Sequence, residues 1–174
     1  YGGYGVQSAG NSDSLNDLWR YDTDTGTWTW VHGSSTRNQY GVYGSQGTPA
    51  ADNTPGARAD AMTWVDNACG LWFFGGYGKA VSGGEGRFND IWRYDTVSGS
   101  WTWVQGSPET NQYGVYGIQG HPDAGNIPGA RSGAASWTDS DGKLWLYGGY
   151  GYDSAGKRSY LNDVWRYDPT SGLW

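Results

Sequence analysis

The sequence predicts an all-β fold made of repeated four-stranded units, and three observations support this: its composition, an internal repeat and its short strand-like runs. Among 174 residues there are 31 Gly, 12 Trp and 14 Tyr, and this glycine share is more than double the usual value of about 7%. Abundant turn-forming glycine together with aromatic residues is typical of many short strands. No window shows the 3.6-residue periodicity of a helix.

A repeat of 73 residues runs through the chain. The sequence WRYD at residues 19–22 recurs at 92–95 and again at 165–168, 73 positions later each time. The heptapeptide NQYGVYG at residues 38–44 recurs letter for letter at 111–117. Repetition at such a period indicates a series of similar supersecondary units that stack on one another.

Each unit is predicted to contain four short antiparallel strands. In the second unit the runs rich in Trp, Tyr, Val and Thr lie at residues 59–65, 71–76, 90–94 and 101–104, and Gly, Asp, Asn or Pro bound them. Segments that begin with Asp and contain Gly, such as residues 66–70, are typical of tight hairpin turns. Four antiparallel strands per radially arranged repeat make a β-propeller blade.

The repeat divides the chain into about 2.4 blades. We predict a partial blade at residues 1–31, running from the end of a second strand through the fourth. A full blade with a long interblade loop follows at 32–104, and a blade that lacks most of its fourth strand lies at 105–174. Closed propellers have about four to eight blades, so further blades of the same propeller, or further copies of the chain, are the expected partners.

The strand motifs resemble the kelch repeat, and the resemblance covers essentially the whole chain. It rests on the pair Gly75-Gly76 at the end of the second strand, on NDLWRYD at residues 16–22, and on Trp28 after the next turn. The long unit is similar to the long-repeat kelch proteins of bacteria, which are often described as galactose-oxidase-like. Kelch units usually have about 50 residues, and the surplus here lies mostly at residues 32–55.

The long loops are expected to share one side of the blades. Because antiparallel strands alternate in direction, the loop between strands two and three at residues 76–89 leaves on the same side as the interblade loops at 32–57 and 107–130. The short turns then share the opposite side. Loops on a rigid scaffold commonly carry function, so ligand binding is expected on the side of the long loops.

The candidate ligand-binding residues lie in or beside the interblade loops, where tyrosine rings next to amide groups suit sugars and protein partners alike. They are Asn38, Gln39, Tyr40, Tyr43, Asn111, Gln112, Tyr113, Tyr116, Arg58, Arg131 and His121. Because the heptapeptide recurs unchanged while its neighbours vary, the sequence favours a mainly structural role for it, with Gly41 and Gly44 allowing bends and its tyrosines packing on the blade. Variable neighbours such as His121, which stands where the other unit has Thr48, would then determine specificity. Repeated contact with a ligand is the alternative.

Five arginines recur with the repeat. Arg20, Arg93 and Arg166 alternate with aromatic residues in the third strand, and we expect them to be partly buried and bonded to carbonyls or to a carboxylate. Arg58 and Arg131 precede the first strand, and either a structural role or contact with a ligand fits that position.

No catalytic or metal-binding constellation is predicted. The likeness to copper radical oxidases implies His and Tyr ligands and a Cys joined to Tyr, but the chain offers only Cys69, His32 and His121, and both histidines change between units. Residues 139–142 resemble the start of a calcium loop, although the other unit lacks the second carboxylate, so we predict a hairpin turn. The expectation is therefore no catalytic residue, no metal and no cofactor.

Charge and hydropathy weigh against two classes of partner. A net charge of −6 without any basic run disfavours nucleic acid, and no apolar run approaches the roughly 18 residues of a membrane span. The acidic, lysine-poor composition favours an extracellular or cell-surface location. We therefore predict non-catalytic recognition of a protein or glycan. A structural or assembly module of a larger fibre or surface protein is the alternative, and part of a copper radical oxidase-like enzyme is the third possibility.

Overall fold

The computed structural model describes residues 1–6 and 12–174, and the regular secondary structure of this part is β-strand. The strands in chain order are β1 (Gly3–Val6), β2 (Ser12–Leu15), β3 (Leu18–Asp22), β4 (Thr27–His32), β5 (Arg58–Ala59), β6 (Met62–Val65), β7 (Leu71–Phe74), β8 (Tyr77–Lys79), β9 (Glu85–Arg87), β10 (Ile91–Asp95), β11 (Ser100–Gln105), β12 (Arg131–Ser132), β13 (Ala135–Thr138), β14 (Leu144–Tyr147), β15 (Tyr150–Tyr152), β16 (Arg158–Tyr160) and β17 (Val164–Tyr167). Neighbouring strands pair antiparallel, and the predicted all-β class is confirmed.

The second unit forms a complete four-stranded blade in the order β6-β7-β10-β11. Trp64 in β6 lies opposite Trp72 in β7. The turn between these strands is shaped by Asp66, whose Oδ1 accepts hydrogen bonds from the backbone N–H groups of Ala68 and Gly70. An Asp that bonds its own turn in this way fixes the register of the aromatic strand pair.

A small three-stranded sheet lies beside each of the last two blades, where the sequence predicted only a loop. β8 and β9 form a hairpin within residues 76–89, and β5 pairs with β8. The order β12-β15-β16 repeats this arrangement. The predicted first strand at 59–65 is interrupted because Asp60 adopts a left-handed φ of 56°. Those assignments were wrong because strands of two or three residues are too short to show a recognisable alternation.

The second and third blades pack face to face through a buried hydrophobic core. Trp72 of the second blade and Tyr167 of the third have ring centroids 5.6 Å apart. The indole Nε1 of Trp64 donates a hydrogen bond of 2.8 Å to the backbone oxygen of Trp145. Leu146 is fully buried between the blades. The aromatic residues that recur with the repeat therefore serve to join one blade to the next, where buried apolar area stabilises the fold.

One face of the third blade points away from the second blade. Side chains on this face are exposed, whereas the equivalent side chains of the second blade are buried. Trp137 and Tyr147 are 44% and 49% exposed, whereas Trp64 and Phe74, which lie 73 positions earlier, are 5% and 0% exposed. Trp137 stacks on Trp145 of the same blade with parallel rings 5.8 Å apart. The exposed face therefore has the composition of an interblade interface.

The arginines of the third strand differ in burial. Arg93 behaves as predicted, since its Nε donates to Asp66 Oδ2 at 2.9 Å and its Nη1 donates to Asp95 Oδ2 at 3.2 Å. Arg20 and Arg166 are exposed instead. The prediction assumed a blade packed on both faces, and the first and third units each leave one face open.

An ion pair joins the turn between β13 and β14 to the turn that follows β17. Lys143 Nζ lies 2.8 Å from Asp168 Oδ1, and the hydrogen bond from Lys143 lowers the pKa of Asp168 to about 2. An unfolded Asp has a pKa of about 3.9. Because the folded value is the lower one, the stabilisation is present above the unfolded value and is lost as the pH falls toward 2.

The expected result is a decline in the urea midpoint between pH 4 and pH 2, and a shallower decline in the Asp168→Asn variant. Asp24→Asn is the matched control, because Asp24 is an exposed turn residue that forms no ion pair among the described residues. It should keep the wild-type slope. An Asp168→Asn profile parallel to the wild type would contradict the assignment.

Candidate functional site

The two kinds of long connection lie together on one side of the blades. The backbone N–H of Asn111, in the second interblade loop, donates to the oxygen of Arg87 at 2.6 Å, and Asn111 Oδ1 accepts from the N–H of Arg87 at 3.1 Å. Asn38 in the first loop donates in the same way to the oxygen of Ser14 at 2.9 Å. We call this surface the loop face, formed by residues 32–57, 76–89 and 107–130 with the β1–β2 and β15–β16 hairpins.

A buried ion pair anchors the chain at the end of the first interblade loop. Arg58 Nη1 and Nη2 donate to Asp90 Oδ1 and Oδ2 at 2.6 and 2.9 Å, and the two side chains are 1% and 0% exposed. Arg58 also donates to the backbone oxygens of Gly56 and Gly75. Although burial alone would lower it, the Asp90 carboxylate holds the pKa of Arg58 above its ordinary value. The guanidinium is thus fully engaged inside the protein, in the bidentate geometry of strong ion pairs.

Tyr43 joins the heptapeptide to the same carboxylate. Its hydroxyl donates to Asp90 Oδ2 at 2.6 Å, and the indole Nε1 of Trp92 donates to that oxygen at 2.7 Å. The rings of Tyr43 and Trp92 lie 4.8 Å apart. Burial raises the pKa of Tyr43 well above its ordinary value, so the hydroxyl stays a hydrogen-bond donor. The first loop is therefore tied to the third strand of the second blade.

The third unit repeats this anchor. Arg131 donates to both oxygens of Asp163 at 2.7 and 2.8 Å, and Tyr116 and Trp165 each donate to Asp163 Oδ2 at 2.7 Å. Burial alone would raise the pKa of Asp163, but the hydrogen bonds from Arg131 hold it below its ordinary value. Burial also raises the pKa of Tyr116 to about 12. Because the same four residue types form the anchor in both units, the anchor is a structural feature of the repeat.

The heptapeptide also supplies backbone bonds that fold the loop back on itself. Val42 and Thr54 exchange both N–H···O bonds, at 2.8 and 2.9 Å. The N–H of Ala57 donates to the oxygen of Gln39 at 2.8 Å. Gly44 has a φ of 60°, and a side chain there would meet the amide of Asn53. These contacts agree with the structural interpretation of the heptapeptide.

The structure divides the predicted ligand-binding residues into an inner and an outer set. The inner set uses its polar atoms in the two anchors and consists of Tyr43, Tyr116, Arg58 and Arg131. In the outer set, Tyr40 and Tyr113 are 53% and 59% exposed, and His121 is exposed. Ligand contact stays a prediction for these three.

The amide residues of the heptapeptide are half-buried and mostly bonded within the loops. Asn38 and Asn111 adopt left-handed φ values of 56° and 63°, which Asn tolerates better than most residues. Asn38 Nδ2 donates to Asp13 Oδ2 at 2.6 Å. Gln39 and Gln112 each donate to the backbone oxygen two residues earlier, at 3.0 Å. They fix the loop beside the exposed tyrosines.

Sequence reasoning missed the acceptors of the anchors and a second series of tyrosines. Asp90 and Asp163 precede the Trp of the third strand in each unit, and an Asp two residues before a buried Trp was the available signal. Tyr4, Tyr77 and Tyr150 recur at the 73-residue spacing, and the small hairpins carry them to the loop face. They were overlooked because those hairpins were assigned as loop.

The residues considered for metal chemistry lie apart. Within residues 1–6 and 12–174, no three His, Cys, Asp or Glu side chains come together as a candidate metal site. Cys69 is an exposed thiol in the turn of residues 66–70. Asp139 accepts hydrogen bonds from the backbone N–H groups of Asp141 and Lys143, so residues 139–142 form the predicted hairpin turn. In the described part of the chain, no helix has the length and apolar character to cross a membrane.

Comparison with known proteins agrees with this architecture. Residues 140–174 match the family model of the kelch motif. The solved structure of YjhT is similar, with a TM-score of 0.61 and 17% sequence identity, over 98% of this chain and 46% of YjhT. The chain thus spans about half the length of that protein. No curated protein sequence matches. At this identity the likeness to YjhT establishes the fold alone.

These findings confirm the predicted kelch resemblance and the blade architecture. The kelch motif suggests a protein-interaction or structural module. The narrower likeness to galactose-oxidase-like proteins stays a prediction.

Proposed function

We propose that the chain is a non-catalytic recognition module of an extracellular or cell-surface protein, and that its loop face binds a protein or a glycan. The observation that carries the proposal is the pair Tyr40 and Tyr113, exposed by 53% and 59% at equivalent positions of two loops. Large amphipathic rings at a surface are favoured in recognition of both kinds of ligand.

Both tyrosines are held on rigid backbone. The residue before each one accepts a hydrogen bond from the far end of the loop, from Ala57 at 2.8 Å and from Ala130 at 2.9 Å. Three residues after each one, Tyr43 and Tyr116 are fixed in the anchors. A preorganised side chain loses little conformational entropy on binding, which supports recognition more than a flexible loop would.

The test is the double variant Tyr40→Ala/Tyr113→Ala. Because both rings are largely exposed, we expect an unchanged melting temperature, together with loss of binding to a glycan array and in pull-downs from cell-surface extracts. Tyr21→Ala is the matched control, since Tyr21 is 49% exposed on β3, outside the loop face. Wild-type binding by the double variant, or its unfolding, would contradict the proposal.

The exposed blade face favours assembly as a second candidate function. Trp137 and Tyr147 repeat positions that are buried between the second and third blades, so a further blade or a second copy of the chain fits there. Such a role requires association, which sedimentation analysis would detect. A monomer whose Trp137→Ser variant behaves identically would exclude assembly through this face.

A further inference from the structure

A cleft of about 620 Å³ opens on the loop face between the first two hairpins. Hairpin β1–β2 forms one wall and hairpin β8–β9 the other, and β5 and β12 lie at its floor. The residues that line it include Tyr4, Asp13, Asp60, Tyr77, Lys79, Glu85 and Arg87. Its size suits a small ligand, because pockets for such ligands have about 300–1,000 Å³, whereas a protein partner covers about 800 Å² of surface.

Two exposed tyrosine rings line the cleft. Tyr4 is 71% exposed and Tyr77 is 39% exposed. They occupy the same position of the repeat, 73 residues apart. The guanidinium carbon of Arg87 lies 5.4 Å from the ring centroid of Tyr77, and Arg87 Nε donates to Ser132 Oγ at 3.1 Å. The second wall of the cleft is thus an ordered aromatic surface.

Most charged groups of the cleft are already paired. Lys79 Nζ lies 3.4 Å from Glu85 Oε1. Asp13 accepts hydrogen bonds from Asn38 Nδ2 and from the N–H of Ser14. The cleft has a net formal charge of −1, since the carboxylates of Asp13, Asp60 and Glu85 outnumber the cations Lys79 and Arg87. This balance offers no field to attract a phosphate or another anion.

Asp60 is the one carboxylate of the cleft that has no partner among the described residues. Its side chain is exposed, and its carboxylate makes no hydrogen bond or ion pair with the described residues. Its backbone has a φ of 56°, and Gly133 occupies the equivalent position with a φ of 66°. Glycine adopts this conformation without strain, whereas an Asp does so at some loss of stability. The turn therefore does not require an Asp at this position, and the Asp60 carboxylate is available to bind a ligand.

We infer that the cleft binds a neutral pyranose unit of a glycan, with the rings of Tyr4 and Tyr77 against C–H faces of the sugar and the Asp60 carboxylate accepting hydrogen bonds from its hydroxyls. This inference rests on the proposed function of the loop face. A hydroxyl-rich, uncharged ring matches a cleft with aromatic walls, an unpaired acceptor and otherwise neutralised charges.

The experiment titrates the full-length protein with glucose, mannose, N-acetylglucosamine and their short oligomers, using calorimetry and saturation-transfer NMR. Asp60→Gly should weaken sugar binding by about tenfold or more, because a hydrogen bond to a charged group is lost. It should keep or raise the melting temperature, since glycine suits the positive φ. Tyr77→Ala should also weaken binding, and Tyr77→Phe should retain it.

Cys69→Gly is the matched control. Cys69 is exposed and has a φ of 60°, so the substitution relieves the same backbone strain in a turn on the opposite side. Its affinity should equal that of the wild type. Glucuronic acid tests the charge argument. It should bind more weakly than glucose, because its carboxylate is repelled by the unpaired carboxylate of Asp60.

Four outcomes would overturn the inference. Glycan binding that survives both Asp60→Gly and Tyr77→Ala would place the sugar elsewhere on the loop face and leave the proposed function standing. Preference for a charged sugar would refute the neutral ligand. Absence of any sugar binding, alongside a protein ligand lost in the Tyr40→Ala/Tyr113→Ala variant, would refute the glycan and keep the recognition role. Absence of both ligands would refute the proposed function as well.

Discussion

Replacing Arg58 by Met is expected to lower the free energy of unfolding by about 3–5 kcal/mol, because it leaves a buried carboxylate without its counter-ion. The Arg58 and Asp90 side chains are 1% and 0% exposed, so water has no access to replace the guanidinium. Tyr43 and Trp92 would still donate to Asp90, which limits the loss. Urea unfolding followed by tryptophan fluorescence measures the change.

Arg131→Met is the matched control for this variant. It removes the equivalent guanidinium of the third unit, but the Asp163 side chain is 17% exposed and can regain contact with water. A smaller loss is therefore expected. Equal losses in the two variants would show that burial does not determine how much the ion pair stabilises the fold. A free energy of unfolding of Arg58→Met equal to that of the wild type would show that the ion pair does not stabilise the fold.

Trp101→Ala is expected to destabilise the fold by a similar amount, about 3–5 kcal/mol, through the cavity that it creates. The Trp101 side chain is fully buried. Its ring lies 4.9 Å from that of Tyr94, 5.1 Å from that of Phe73 and 5.3 Å from that of Tyr1, measured between centroids. The shift in the urea midpoint reports the loss.

Trp28→Ala provides the control at the same position of the repeat. Trp28 is 65% exposed and packs mainly on Tyr21, with ring centroids 5.0 Å apart. Its replacement should change the stability by less than about 1 kcal/mol, as exposed substitutions usually do. Comparable losses at Trp28 and Trp101 would show that the first unit is covered in solution, in line with the assembly role.

Much of the fold was predictable because the repeat shows which positions must be alike. The Asp-to-Gly turns and the aromatic runs defined the four blade strands, and β6, β7, β10 and β11 formed close to the predicted segments. The small hairpins were not predictable from pattern. β8 and β9 have three residues each with a central glycine. β8 also pairs with β5 through Arg58 with Gly78 and Ala59 with Tyr77, which are tertiary contacts that no local sequence signal records.

The candidate site was predictable only in part. The heptapeptide contains two tyrosines three residues apart, and the sequence treats them alike. Tyr43 points to Asp90, 47 positions away, whereas Tyr40 remains exposed. Only the distant partner Asp90 distinguishes the structural role of Tyr43 from the surface position of Tyr40. For the same reason Asp60 went unnoticed, since its unpaired carboxylate and left-handed backbone become visible only in three dimensions.

The residues that bond to each other in an anchor are separated by fewer positions than the 73-residue repeat contains. Tyr43 and Asp90 are 47 positions apart, and Arg58 and Asp90 are 32 apart. A segment one period long therefore carries all the partners of its own anchor, and a blade can form without waiting for a distant part of the chain to be synthesised. In-frame duplication of one period would add a blade together with all the residues of its anchor. The number of blades can therefore change in evolution without new substitutions at the anchors.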